Sequence, residues 1–256
     1  MSLSERLYQH ELERVRDIVQ DPEWYHQLTR EQKLRTIGAT ALHGLVSTEG
    51  TIRERLKNGL YDVFEQLLAE EAIKLGAIGQ YEWDSERQPV DMIVIHHTSR
   101  QPGLSADRLN AMHLIRLYVP HYQNPPESDR PHVAGQPIYS GHFREGKQKF
   151  WGYHWLVRDA GQVERLLSDD QTGWQSGDWN VNCRSVAICI DDDLVSKKPN
   201  GDIMDGIGEL INRHYSHLDI SPTTLLGHTE VNMKTSCPGG EFLGGWKFEL
   251  LDRIGA

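Results

Sequence analysis

The spacing of apolar positions changes character near residue 80. From Thr51 to Leu75, Ile52, Leu56, Leu60, Phe64, Leu67, Leu68 and Ile73 recur mostly every three or four residues, the stripe of an amphipathic helix. Gly76, just beyond that stripe, reads as its stop. Asp21-Pro22-Glu23 supplies an N-cap, a proline at the first helical position and an acid in the first turn, and Thr29–Gln32 has capping-box spacing. Residues 1–80 are therefore predicted to be helical. After the turn-prone stretch Gly79–Pro89, the run Pro89-Val-Asp-Met-Ile-Val-Ile-His96 is short, apolar and β-branched, as a buried strand is. Ser105–Tyr122 carries Leu109, Met112, Leu114, Ile115, Leu117 and Tyr118 and predicts a helix ending near Pro120. Residues 123–149 hold four of the 11 prolines and read as a long surface loop, either the wall of a groove or an insertion, with His132, His142 and Phe143 on it. Trp151–Val157, the turn Arg158–Gly161 and Gln162–Leu166 predict a hairpin. Ser185–Ile190 predicts a second buried strand, Met204–Leu218 a helix, and Leu225-Leu226 a lead into His228. Strands interleaved with helices imply an α/β layer architecture.

Composition narrows the function classes. A chain of 256 residues has room for one large or two modest domains and for a core that needs no disulfide scaffold. No apolar run approaches the roughly 18 residues of a membrane span, so no span is expected. The first ten residues contain no apolar signal region, so the chain is expected to be cytoplasmic as synthesised, reaching its target if released or exported. With 27 Lys+Arg against 37 Asp+Glu, the net charge of −10 argues against nucleic acid as a partner. Three cysteines cannot all pair within the chain, and 13 histidines are a large stock of metal ligands and proton carriers.

Among those histidines, His10, His26 and His43 are scattered through the helical region with no partner pattern. His96 ends a buried strand, and His228 and Cys237 lie nine positions apart across a loop bounded by Pro and Gly. Imidazole and thiolate are ligand types that Zn2+ favours, and three of them leave a fourth tetrahedral position open. The same residues also fit a packed strand-end histidine and a chance pair. Asp191-Asp192-Asp193 fits an acidic strand-end turn or, alternatively, a divalent cation site.

Five blocks carry a resemblance. Ile93-Val-Ile-His-His-Thr-Ser99, Trp151-Gly-Tyr-His-Trp-Leu-Val157, Gly173-Trp-Gln-Ser-Gly177, Asn182-Cys-Arg-Ser-Val-Ala-Ile188, and Gly227-His-Thr-Glu-Val231 through Cys237-Pro-Gly239 occur in order. Together they resemble the type-2 N-acetylmuramoyl-L-alanine amidase family, which includes phage lysozymes and the animal peptidoglycan recognition proteins. The resemblance covers about residues 88–252 and implies a mixed central β-sheet flanked by helices. It divides the chain into a helical N-terminal region, 1–80, and a zinc amidase domain, 88–256.

The activity it implies is zinc-dependent hydrolysis of the amide between N-acetylmuramic acid and L-alanine, in peptidoglycan or muropeptides. It maps the metal ligands onto His96, His228 and Cys237. Strand alternation then turns His97 away from the metal and makes Tyr153, not His154, the pocket-facing residue, where the family carries its catalytic tyrosine. Tyr153 would stabilise the transition state reached by attack of a metal-activated water. Relatives place Lys or Thr two residues before the metal cysteine, which favours Thr235 as a second catalytic group and keeps Lys234 beside it. Trp174, Trp179 and Asn182 are candidate substrate contacts. Two departures stand out: Gln175 where the family often has His, and Cys189 where some members have a catalytic Glu. Cys183 and Cys189 are expected as ordinary thiols. The alternative implied by the same family is a recognition module that binds peptidoglycan without cutting it, although binding-only relatives typically lack the metal cysteine. Residues 1–80, outside the resemblance, are candidates for binding a protein partner.

Overall fold

The computed structural model describes residues 3–30, 50–78, 82–123 and 133–256. Gln32, and with it the expected capping box from Thr29, lies outside them, as do His43 and His132. Two compact units emerge, one of residues 1–82 and 105–150, the other of residues 83–104 and 151–256.

The first unit is mainly helical: α1 (Leu3–Val19), α2 (Trp24–Arg30), α3 (Gly50–Ala69), α4 (Ala106–His113) and α5 (Val119–Gln123). Along the stripes read from the sequence it buries Leu60, Phe64 and Leu67 on α3 and Leu109 and Met112 on α4, and beside them Tyr61 on α3 and Val15 and Val19 on α1. Asp21 accepts the Glu23 amide at 2.7 Å in the turn before α2, which begins at Trp24, so Pro22 and Glu23 precede the helix instead of forming its first turn. The stop of α3 differs from the expected one. Glu71, not Gly76, takes the left-handed conformation (φ 55°), and the Ala72 amide returns to the Leu67 carbonyl at 2.8 Å. A side chain there costs roughly 1–2 kcal/mol of backbone energy, and the Glu71 carboxylate meets Lys147 Nζ at 2.8 Å. Gly76 instead donates its amide to Ile138.

The helix predicted from Ser105 starts there, with Ser105 Oγ accepting the Arg108 amide at 2.9 Å. It does not stop at Pro120. A π-helical turn, Leu114–Tyr118, precedes the proline and the chain stays helical to Gln123. Widening a turn in this way accommodates a residue that cannot donate to the ladder. Within the predicted long loop, Phe143–Arg144 and Lys147–Gln148 pair as a short antiparallel hairpin around Glu145-Gly146, both at positive φ.

The second unit is built on a five-stranded mixed sheet of β1 (Met92–His97), β2 (Trp155–Val157), β3 (Val163–Arg165), β4 (Ser185–Ile190) and β5 (Leu225–Gly227). The strands lie in the order β3-β2-β4-β1-β5; only the edge pair β2–β3 is antiparallel. Strands β1 and β4 are parallel and covered on both faces, which is why they read as unbroken apolar runs. Along them Ile93, Ile95, Val186, Ile188 and Ile190 join one core with Ile203, Ile207 and Ile211 of α7 (Gly201–His214) and Leu250 of α9 (Lys247–Ile254).

Helix α7 begins three residues before the expected start because Asn200 caps it, accepting the Ile203 amide at 2.9 Å. The β2–β3 turn ends in Gly161 (φ 75°), where a Cβ would sit 2.3 Å from the Asp202 carbonyl oxygen. That close approach of turn to helix requires glycine. Of the predicted strand Trp151–Val157 only the last three residues pair, leaving Trp151–His154 as irregular chain. No helix among the described residues is long and apolar enough to cross a membrane.

Candidate metal centre

The alternation of β1 places Ile95 and His97 on one side and His96 on the other, in register with Cys189 of β4. His96 is fully buried, and its ring centroid lies 4.6 Å from that of His228 and 4.9 Å from that of Tyr153. His228 opens α8 (His228–Val231), directly after β5. The loop after α8 returns Cys237 to the same place: its carbonyl accepts the Thr229 amide at 2.7 Å and its own amide donates to Thr235 Oγ1 at 3.2 Å. Gly239, at φ 118°, lets this loop pass against the Leu194 carbonyl, where a Cβ would come within 1.9 Å of the oxygen.

As a result the ligand atoms of His96, His228 and Cys237 all lie within 4.8 Å of one another. His96 Nδ1 faces Cys237 Sγ at 3.7 Å. The sulfur also accepts the His97 backbone amide at 3.4 Å, an interaction that favours the thiolate. Burial lowers the His228 pKa, opposed by its hydrogen bond to the Ser176 carbonyl, so the ring is biased toward the neutral form that ligates metals. The donor set therefore fits a three-ligand Zn2+ site of the open kind.

The loop carrying Gln175 and Ser176 faces both imidazoles. His96 Nε2 lies 2.5 Å from Gln175 Oε1, and His228 Nε2 lies 3.1 Å from the Ser176 main-chain oxygen. Gln175 Nε2 donates to Ser185 Oγ at 2.9 Å. Asn182, in α6 (Trp179–Arg184), is buried, and its Oδ1 accepts the amides of Gln175 at 3.2 Å and Ser176 at 3.0 Å. The Asn182 amide oxygen is thus engaged by the loop, a use that its identity alone did not signal.

The other predicted residues are placed as follows. Tyr153 is half-buried against His96, and Thr235 is half-buried beside Cys237. Lys234 is exposed on the same turn, its backbone amide on Asn232 Oδ1 at 3.1 Å. Trp174 and Trp179 are half-buried and form an edge-to-face trio with Trp83, which the sequence did not single out; Trp179 Nε1 also donates to Glu86 Oε2 at 2.8 Å. His97 points away, its Nδ1 accepting the Leu194 amide at 2.9 Å. His154 is fully buried; Nδ1 accepts the Ala187 amide and Nε2 lies 3.0 Å from the Gln171 carbonyl, so this ring ties the 151–154 segment to β4. Asp191 anchors a turn by accepting the Gly103 and Leu104 amides and Arg158 Nη1, while Asp192 pairs with Lys197. That is an acidic strand-end turn rather than a cation cage. Cys183 and Cys189 are buried thiols without a disulfide.

Among solved structures, the amidase LysC from Clostridium intestinale URNW is 19% identical, covers 70% of this chain and 95% of its own, and superposes with a TM-score of 0.46. The Ph2119 endolysin of the Thermus scotoductus MAT2119 bacteriophage is 19% identical over 66% of this chain and 87% of its own (TM-score 0.42). Drosophila PGRP-LB is 21% identical over 62% and 80% (TM-score 0.38). No curated protein gives a significant match. The assignment rests on a family model described as N-acetylmuramoyl-L-alanine amidase, which matches residues 86–240 and so encloses His96, Tyr153, His228 and Cys237. Spanning more than half of the chain, that match makes this protein a member of the N-acetylmuramoyl-L-alanine amidase family.

Proposed function

We propose that the chain is a zinc-dependent amidase that hydrolyses the bond between N-acetylmuramic acid and L-alanine in peptidoglycan or muropeptides. The observation that carries this reading is the convergence of His96, His228 and Cys237 within 4.8 Å, beside Tyr153 and inside the matched segment. When bound, Zn2+ supplies a Lewis acid for the scissile carbonyl and lowers the pKa of its water to about 7. The chain's own groups do the rest. His96 and His228 hold the metal through neutral imidazoles, and Cys237 adds a thiolate whose charge the His97 amide meets. Tyr153 donates its hydroxyl to the oxygen that gains charge in the transition state. Thr235 Oγ1 already accepts the Cys237 amide, which leaves its proton to donate toward the same region. Lys234, exposed on the same turn, supplies a cation near the mouth of the site.

Trp174 and Trp179 offer aromatic faces to sugar or peptide, whereas Asn182 is left out of substrate contact in this reading because its oxygen serves the Gln175 loop. Cys189 beside His96 supplies no carboxylate, so the proton chemistry falls to Tyr153 and the 234–235 turn. Residues 1–80 lie outside the matched segment, and we assign them to partner binding or targeting. The charge of −10 would not draw the protein to an anionic wall.

The test is metal analysis together with mass spectrometry of products from sacculi and soluble muropeptides. About one zinc per chain, release of L-alanine-terminated peptides, and loss of both in Cys237→Ala are expected. Muropeptide bound tightly but never cut by zinc-loaded protein would instead establish the recognition module. Cleavage unchanged by Cys237→Ala or by a chelator would remove the metal mechanism.

A further inference from the structure

An imidazole ligates a metal through one nitrogen, and the hydrogen bond at the other nitrogen decides which one is offered. Both histidines of the centre turn Nε2 toward two consecutive residues of one loop. His96 meets the Gln175 side-chain oxygen and His228 meets the Ser176 main-chain oxygen, at 2.5 and 3.1 Å. A carbonyl oxygen only accepts, so Nε2 of each ring carries the proton and Nδ1 keeps its lone pair; that of His96 lies 3.7 Å from Cys237 Sγ. The loop cannot do this unless it is itself held. Asn182 Oδ1 takes both amides, and Ser176 Oγ lies 2.8 Å from the same oxygen and 2.7 Å from the Asp178 carbonyl. Ser185, fully buried at the start of β4, takes the far end of the Gln175 amide at 2.9 Å. Gln175, Ser176 and Asn182 are buried as well, so no bulk water replaces a lost partner.

We propose that this loop selects the ligating nitrogen of both histidines, with Gln175 as the positioning residue for His96 and Asn182 as the brace that positions Gln175 and Ser176 together. The inference rests on the reading of His96, His228 and Cys237 as a Zn2+ site. It explains why a glutamine serves at position 175. The work there is to accept one hydrogen bond from an imidazole while its other end is fixed by a serine. None of these groups needs to touch metal or substrate.

The test measures Zn2+ affinity by competition with a chromophoric chelator, and the visible and thiolate-to-metal absorption of the Co2+ form, in the full-length chain. Gln175→Leu and Asn182→Ala are expected to weaken Zn2+ binding by about 10- to 100-fold and to alter the Co2+ spectrum. Gln175→Glu and Asn182→Asp keep the accepting oxygens and are expected to stay within about threefold of the parent or bind more tightly. Thermal melts of the metal-free proteins separate this from a folding defect. If Gln175→Leu fails to fold, the comparison of Asn182→Ala with Asn182→Asp decides. Parent-like affinity and spectrum in both disruptive variants would overturn the proposal, as would a tenfold loss in Gln175→Glu. A parent protein that binds no Zn2+ through His96, His228 and Cys237 would overturn the metal reading itself, which is a different result.

Discussion

Tyr153 and Thr235 bring two hydroxyls to the candidate centre from separate parts of the chain, one against the His96 ring and one against the Cys237 amide. Their expected effects differ. A donor that meets charge only in the transition state affects turnover, so Tyr153→Phe is expected to lower kcat by about 10²- to 10³-fold with zinc content unchanged. Thr235→Val removes a bond that shapes the cysteine loop as well as a donor, so it should lower both turnover and Zn2+ affinity. Lys234→Ala, at an exposed position, should leave affinity intact. Steady-state kinetics beside chelator competition separates the three, and a Tyr153→Phe enzyme with full kcat would remove this residue from the chemistry. At this scale the sequence was legible where the element a local rule assumes is present, which Trp151–His154, an irregular segment, is not for Tyr153. Alternation along a strand put His96 and His97 on opposite sides, and the structure places them so. Gln175 was visible only as a departure, because its bond to His96 spans 79 positions and nothing local announces it. The use of Asn182 depends in the same way on a loop folding back onto its own helix.

Elements were legible in proportion to how self-contained their causes are. Strand β4 runs from Ser185 to Ile190, as predicted, because a parallel strand covered on both faces is an apolar run with polar ends. The stop of α3 was missed because its left-handed residue is a glutamate, and the turn through Pro120 because a π-helical widening leaves no sequence mark. Helix α8 shows how a four-residue element can be held by a distant one. Glu230 accepts the Gly227 amide at 2.8 Å, one half of a capping box, and its carboxylate lies 2.8 Å from Lys247 Nζ on α9. The Lys247 side chain is 4% exposed and that of Glu230 is 22% exposed, so removing the cation strands a partly buried carboxylate at the start of the helix that carries His228. Lys247→Met is expected to destabilise the fold by about 2–3 kcal/mol, somewhat less than a fully buried pair would lose because Glu230 is partly exposed. Urea unfolding with an unchanged m-value checks it. A loss below about 0.5 kcal/mol would class the pair with ordinary surface ion pairs.

For the whole molecule, the change in period near residue 80 invites a cut there, and the packing argues against it. Ser105–Phe150 belongs to the same compact unit as residues 1–82. Within that unit, α4 packs against α3, and Arg108 pairs with Asp62 and Glu65. Leu109, Met112, Leu114, Ile115 and Tyr118, each at most 2% exposed, lie on a segment that a chain beginning at residue 83 would keep while losing α1, α2 and α3. Burial of one large apolar side chain is worth roughly 1.5–3 kcal/mol, so exposing even two or three rivals the marginal stability of a typical domain. The truncated chain is therefore expected to bind a hydrophobic dye, to lose a cooperative melt and to be poorly soluble. Dye fluorescence and calorimetry on the truncated and full-length proteins check this. A soluble, cooperatively melting truncation without dye binding would show that residues 105–150 hold together unaided. If the expectation stands, activity lost on deleting residues 1–80 reports lost packing and cannot be credited to a lost partner. A partner-binding role for that region must then be sought through exposed positions such as Glu13, Asp17 and Asp62, substituted singly in the intact chain.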